Sequence, residues 1–233
     1  MSGSEITVKA SDGGSFSAYV ARPSAAKAPG VVVIQEIFGV NANIREIADG
    51  LAAAGYLAIA PDLFWRQEPG IQLTDQSEAE WKRAFELYQG FDVDKGVGDI
   101  AATIAALRAD AGHNGKVGAV GYCLGGFLAY LTATRTDADA AVGYYGVAIE
   151  TKLDEAKAIK GQLMLHVAAK DQFVPPPAQD AIKAGLAGNA HATVHVYDGQ
   201  DHAFARPGGQ HYDKAAADLA NARTLDFFKA RLG

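Results

Sequence analysis

Residues 116–131 read KVGAVGYCLGGFLAYL, and the change of period inside this stretch decides the fold. KVGAVGY (116–122) is an apolar run of strand length, and LGGFLAYLTATR (124–135) reads as a helix that begins directly after Cys123. Between them, GYCLGG (121–126) gives Cys123 the small-x-nucleophile-x-small spacing of a nucleophile elbow, with a thiol where serine usually stands. A side chain held on so sharp a turn crowds the neighbouring backbone, and Gly121, Gly125 and Gly126 relieve that crowding. The helix behind the turn aims its positive dipole end at the sulfur, which favours a thiolate. Cys123 is the only cysteine among 233 residues. The commonest use of a lone cysteine is as a small buried hydrophobe; a position between strand and helix favours the nucleophile.

The same alternation extends outward. ITVKA and FSAYVARP, joined by SDGG, read as an antiparallel hairpin. GVVVIQE and LAIAPD are strands around an amphipathic helix carrying Ile44, Ile47 and Leu51. A helix is expected from about Asp75, where Asp75 and Glu78 have capping-box spacing. Another starts near Asp92 with Val97, Ile100, Ile104 and Leu107 on one face. AAVGYYG, QLMLHVAA and ATVHVYDG are three more strands separated by helical segments, and a long helix closes the chain. Strands alternating with helices predict an α/β fold: a mostly parallel, twisted sheet of about eight strands with helices on both faces. No repeat or linker interrupts the pattern, so a single domain over residues 1–233 is expected.

Composition narrows the function. A net charge of −6 with no basic cluster argues against nucleic acid or an acidic membrane as partner. MSGSEITVKA lacks the apolar core of a secretory signal, and the longest apolar stretch, LAAAGYLAIA, is half of the ~20 residues a bilayer span needs. One cysteine forms no internal disulfide. A soluble, cytoplasmic protein is expected.

A nucleophile needs a base and a group that orients the base. Asp171 follows the strand QLMLHVAA, and His202 follows ATVHVYDG. Both therefore stand at carboxyl ends of strands, the edge of a parallel sheet where sites assemble. An Asp before a turn is more often a cap, so Asp171 alone is weak. Asp198 and Asp201 are rival acids, but they are close enough to His202 to share its loop. His166 and His195 fall inside strands, and His113, His191 and His211 in polar connections. No histidine pair has helical ligand spacing and the thiol has no second cysteine, so no metal is expected.

QEIFGVNANIRE, GYCLGG, AVGYYG and DHAFAR together resemble the dienelactone hydrolase family, the carboxymethylenebutenolidases, essentially from end to end. The resemblance implies an α/β-hydrolase fold and cofactor-free opening of enol lactones or related esters. It implies a triad of Cys123, His202 and Asp171, the auxiliary carboxylate Glu36 of QEIFG, and an oxyanion hole from the backbone N–H groups of Leu124 and Ile37. Arg206 of DHAFAR is implied as a grip on the substrate carboxylate, and Tyr145 of AVGYYG is a further substrate-contacting candidate. A small-molecule lactone or ester is the expected partner, and a monomer the expected state.

The chemistry suits a thiol. A free thiol, of pKa ~8.5, is only partly thiolate at neutral pH, yet the thiolate is a strong nucleophile. It is also a good leaving group, so the acyl-enzyme forms only when the substrate's own leaving group is better. An enolate qualifies and an amide nitrogen does not. The sequence departs from the family where a second arginine is usual: Trp81 stands there, and Phe85 replaces a tyrosine. Trp81, Phe85 and Tyr88 form a stripe on one helix face, commonly a core feature; beside the resemblance, Trp81 and Phe85 are expected at the pocket mouth. Losing one charge-assisted contact costs about 1.5–3 kcal/mol, roughly tenfold to a hundredfold in binding, unless Lys82 or Arg83 compensates. Three other readings stay open: an esterase or thioesterase for a bulkier or less anionic acyl group, a ligand-binding protein on a hydrolase scaffold, and a redox-sensing thiol.

Overall fold

The computed structural model describes residues 3–233. Met1 and Ser2, with which the reading of the amino terminus begins, lie outside the described residues. Eight strands form one sheet in the order β1-β2-β4-β3-β5-β6-β7-β8, and the chain divides into two compact units, Met1–Gly118 and Ala119–Gly233.

In the first unit, β1 (Ser4–Lys9) and β2 (Ser15–Ala21) pair antiparallel. Gly13 and Gly14 take the turn between them at φ 99° and 84°, where a side chain would be strained. β3 (Ala28–Ile34) is buried along its whole length and runs parallel to β4 (Leu57–Pro61), which pairs antiparallel with β2. Burial on both faces is what its unbroken apolar run predicts.

Two of this unit's helices, α1 (Ala42–Ala53) and α3 (Val93–Ala109), pack on these strands. α1 is capped by Asn41, whose side chain accepts from the Ile44 N–H, and α3 by Asp92. α3 buries Val97, Ile100, Ile104 and Leu107, as the sequence period requires. α2 (Glu78–Gln89) starts later than the expected Asp75. The reciprocal cap is made by Ser77 and Glu80: Ser77 Oγ accepts from the Glu80 N–H and donates to Glu80 Oε2. Serine, the better cap, wins over Asp75, whose carbonyl instead receives Trp81 Nε1 at 3.0 Å.

β5 (His113–Tyr122) crosses from the first unit into the second, where α4 (Leu124–Arg135) follows. Nearly all of α4 is buried, which explains why its sequence lacks a polar face. Next come β6 (Ala140–Tyr144), a 3-10 segment (Ile149–Ala158), β7 (Gln162–Ala168), α5 (Pro176–Leu186), β8 (Ala192–Tyr197) and α6 (Lys214–Leu232). β6, β7 and β8 are parallel, with Tyr144 opposite His166 and His166 opposite His195.

A polar chain, buried at Tyr144, His166, Tyr197 and Thr224, ties α6 to these three strands. Arg223 Nη1, which can only donate, gives a hydrogen bond to Tyr197 Oη at 3.1 Å. Tyr197 Oη lies 2.8 Å from His166 Nδ1, and its own proton goes there. His166 Nε2 therefore carries the ring proton and donates to Thr224 Oγ1 at 3.0 Å. Thr224 lies 2.6 Å from Tyr144 Oη, which donates to Asn221 Oδ1 at 3.0 Å. The two ends force the same histidine tautomer. Burial, helped by the charges of His195 and Arg223, lowers the His166 pKa to about 3 and keeps the ring neutral.

Candidate active site

Cys123 closes β5 at φ 56° and ψ −116°, a conformation L-residues avoid, and is half-buried. Its N–H donates to Tyr144 O at 3.1 Å, and its carbonyl accepts from Gly126 and Phe127. The side chain takes no part in capping α4, so the thiol remains available at the helix's amino end. Glycine at 121 and 126 is a steric necessity. A Cβ on Gly121 would stand 1.9 Å from the carbonyl oxygen of Gly125, and one on Gly126 2.5 Å from that of Tyr144.

Asp171 and His202 meet as expected. His202 Nδ1 lies 2.8 Å from Asp171 Oδ2, and both side chains are buried. That bond leaves Nε2 for the sulfur, and Cys123 is in hydrogen-bonding contact with the ring. Asp171 Oδ1 accepts from the Phe173 N–H at 2.9 Å, so both carboxylate oxygens are engaged. Of the rival acids, Asp201 spends Oδ1 on the backbone N–H of His202 at 2.7 Å, within its own loop.

The electrostatics follow. Burial alone would push the His202 pKa down, but the charge of Cys123, hydrogen bonds to Asp171 and Cys123, and the charge of Asp171 raise it to about 10. Negative charge on the sulfur and on Asp171 therefore favours the protonated ring.

Strain gathers here. Among the described residues, non-glycine positive φ occurs at Cys123, Tyr145 (38°), Ala148 (60°) and Ala203 (62°). One is the candidate nucleophile and another follows His202 directly. Such strain persists only where surrounding contacts over-determine it. Tyr145 is buried with its ring 5.1 Å from that of His202, and its N–H donates to His166 O. Arg206 is half-buried, four residues beyond His202, with its N–H on Ala203 O. Leu124 opens α4. Phe173, not among the residues expected from sequence, has its ring 4.8 Å from that of His202 at 71°. An aromatic two residues after the acid was the available signal.

The remaining candidates belong to the first unit. Glu36 lies just beyond the carboxyl end of β3 and is 1% exposed, so it is not a solvated strand-end carboxylate. Gln35 beside it is locked by its Oε1 on the Leu63 N–H. Ile37 and Phe38 follow, both buried, and the Leu73 N–H holds Phe38 O at 2.8 Å. The next residue, Gly39 at φ 77°, bridges to Gln72. Trp81 packs edge-on against Phe38 at 5.0 Å and stacks on Phe85 at 5.6 Å. The core face of α2 is Ala84 and Leu87, while Phe85 is 38% exposed. The aromatic stripe is therefore not core. Arg83 is paired with Glu68 and Glu86, at 2.5 Å and 2.9 Å. Among the described residues, no group of three or more His, Cys, Asp or Glu side chains could hold a metal, and no helix is long and apolar enough to cross a membrane.

The chain is similar to known proteins over nearly its whole length. The family described as the dienelactone hydrolase family matches residues 16–232. A protein of Azospirillum brasilense, provisionally named a carboxymethylenebutenolidase, is 49% identical over 98% of this chain and 99% of its own. The carboxymethylenebutenolidase of Pseudomonas putida is 45% identical over 95% and 94%. A crystal structure from Klebsiella pneumoniae, of a protein provisionally named a dienelactone hydrolase, superposes with a TM-score of 0.85 at 30% identity, covering 97% of this chain and 98% of that one.

Proposed function

The chain belongs to the dienelactone hydrolase family, and on that premise we propose that it opens enol-lactone or activated ester bonds through an acyl-enzyme on Cys123. It is a hydrolase of ester or lactone bonds on an α/β-hydrolase fold. The observation that carries the cysteine mechanism is the linked contact of Cys123, His202 and Asp171 at a strained strand–helix turn.

The Cys123 thiolate attacks the carbonyl carbon, forming the S–C bond and an oxyanion. The resemblance assigns that oxyanion to the N–H groups of Leu124 and Ile37. Collapse breaks the C–O bond to the leaving group, and His202 Nε2 gives its proton to the departing oxygen. Water then attacks the thioester and His202 takes its proton. The acid leaves and the thiolate is restored. Asp171 holds the tautomer and stabilises the imidazolium throughout. In this reading the resting sulfur is a thiol; Glu36 accepts its proton when substrate binds, a role its burial supports, and returns it to the sulfur once the acid has left. Glu36→Gln then depresses acylation and leaves the fold intact; unchanged acylation removes the role.

The substrate is a small lactone or ester of the dienelactone type, bound without cofactor by a cytoplasmic monomer active in aromatic degradation. Arg206 grips its carboxylate, with Tyr145, Trp81 and Phe85 as further contacts. A second reading, an esterase for a bulkier or less anionic acyl group, is favoured by α2 itself: Trp81 is fixed by Asp75 and packed between Phe38 and Phe85, and Arg83 is engaged elsewhere. Hydrolysis of a dienelactone at neutral pH, with Cys123→Ala as blank, tests the first reading. Thiol-dependent turnover supports it. No turnover of dienelactone, together with thiol-dependent turnover of uncharged aryl esters, selects the second.

A further inference from the structure

Phe173 is large and apolar, yet 44% exposed. Its position is fixed. The Phe173 N–H is bound to Asp171 Oδ1 at 2.9 Å, and Val174 beside it is 2% exposed. Gln179 Nε2 donates to the carbonyls of Val174, at 2.7 Å, and Ala169, at 3.3 Å, clamping the loop to α5. Pro175 holds φ at −65° and leads into a proline-started helix. An exposed aromatic ring is therefore held at a defined place by a rigid loop.

That place is the imidazole. His202 has two ring neighbours, Tyr145 at 5.1 Å and Phe173 at 4.8 Å; the first is 1% exposed and the second open to solvent. Asp171 occupies Nδ1, so only Nε2 can protonate a departing oxygen. The carbon skeleton attached to that oxygen must therefore pass beside the His202 ring. Its exposed aromatic neighbour is Phe173.

We propose that Phe173 sets leaving-group specificity, its ring packing against flat, unsaturated groups, aryl or enol, as they depart, and so favouring them over saturated alcohols of equal acidity. The proposal rests on the acyl-enzyme reading above and adds the class of leaving group. An aromatic contact of this kind corresponds to about three- to tenfold. A ring that merely shielded His202 from water would affect every ester alike.

The test compares acetate esters of phenol and of a fluorinated saturated alcohol of matched acidity, in the wild-type chain, Phe173→Leu and Phe173→Ala. The expected result is a fall in the phenyl-to-fluoroalkyl ratio of kcat/KM by about three- to tenfold in Phe173→Ala, and by less in Phe173→Leu. Equal loss for both esters overturns the proposal. A second readout does not need turnover. Binding of 4-nitrophenol is measured in Cys123→Ala and in Cys123→Ala/Phe173→Ala, with a saturated alcohol as competitor. Weaker nitrophenol binding in the double variant alone supports the proposal, and equal binding overturns it. A wild-type chain that cleaves neither ester counts against the acyl-enzyme reading, and the nitrophenol comparison still decides the role of Phe173.

Discussion

At the scale of single residues, the chemistry turns on how His202 keeps its proton. Its pKa, raised to about 10, means that the imidazolium facing Cys123 persists across the neutral and mildly alkaline range. A raised histidine contributes stability that is complete below its ordinary value of ~6.5 and is lost as pH rises through the folded value. Activity that needs this proton on the leaving oxygen follows the same limb. The expected kcat/KM stays level from pH 7 to pH 9 and declines near pH 10, and a pH–rate profile checks it. A decline centred near ~6.5 would instead describe an isolated imidazole. Cys123, Asp171 and His202 were legible in the sequence because each follows a strand, and strand ends share one edge of a parallel sheet. Glu36 follows a strand equally well, but its burial depends on chain far from it in sequence. Phe173 was missed because its meaning is its distance from His202, across 28 residues of intervening sequence.

At the scale of elements, the decisive unit is the β5–Cys123–α4 turn. Its glycines were read as relief for a crowded bend, and the close approach at Gly121 supplies the reason in ångströms. Gly121→Ala places a methyl group 1.9 Å from a backbone oxygen that cannot move without unwinding the first turn of α4. The expected loss is about 3 kcal/mol of stability together with near-complete loss of thiol-dependent hydrolysis. Urea titration and kcat/KM measure the two. The start of α2 was misread for an instructive reason. Asp75 and Ser77 both precede an acid at capping spacing, and the choice between them depends on where Trp81 finds an acceptor. The identity of the α2 core face was likewise hidden, because three aromatics at helical spacing outweigh Ala84 and Leu87 on any hydrophobic scale.

At the scale of the whole molecule, strand and helix periods sufficed for the sheet, since buried parallel strands read as unbroken apolar runs. What escaped was the polar chain from Arg223 to Asn221, whose members lie on four elements. It makes two testable statements. Thr224→Val deletes the acceptor for His166 Nε2–H and should cost about 1–3 kcal/mol in urea unfolding, with Thr224→Ser recovering most of it. Because burial lowers His166 to about 3 while an unfolded histidine titrates near 6.5, the unfolded state binds the extra proton and stability falls as pH drops between those values. His166→Gln should flatten that acid limb in thermal melts.

The one-way order of the chain has a spectroscopic consequence. A hydroxyl that can rotate trades its proton with water too quickly to be seen. The hydroxyls of Tyr197 and Thr224 are each pinned by a donor behind and an acceptor ahead, in side chains 5% exposed. Reversing either one means reversing all. These two protons should therefore persist as separate resonances in a proton spectrum of the native enzyme, in a region where hydroxyl signals are ordinarily lost to solvent, and they should vanish together when the chain is cut at any link.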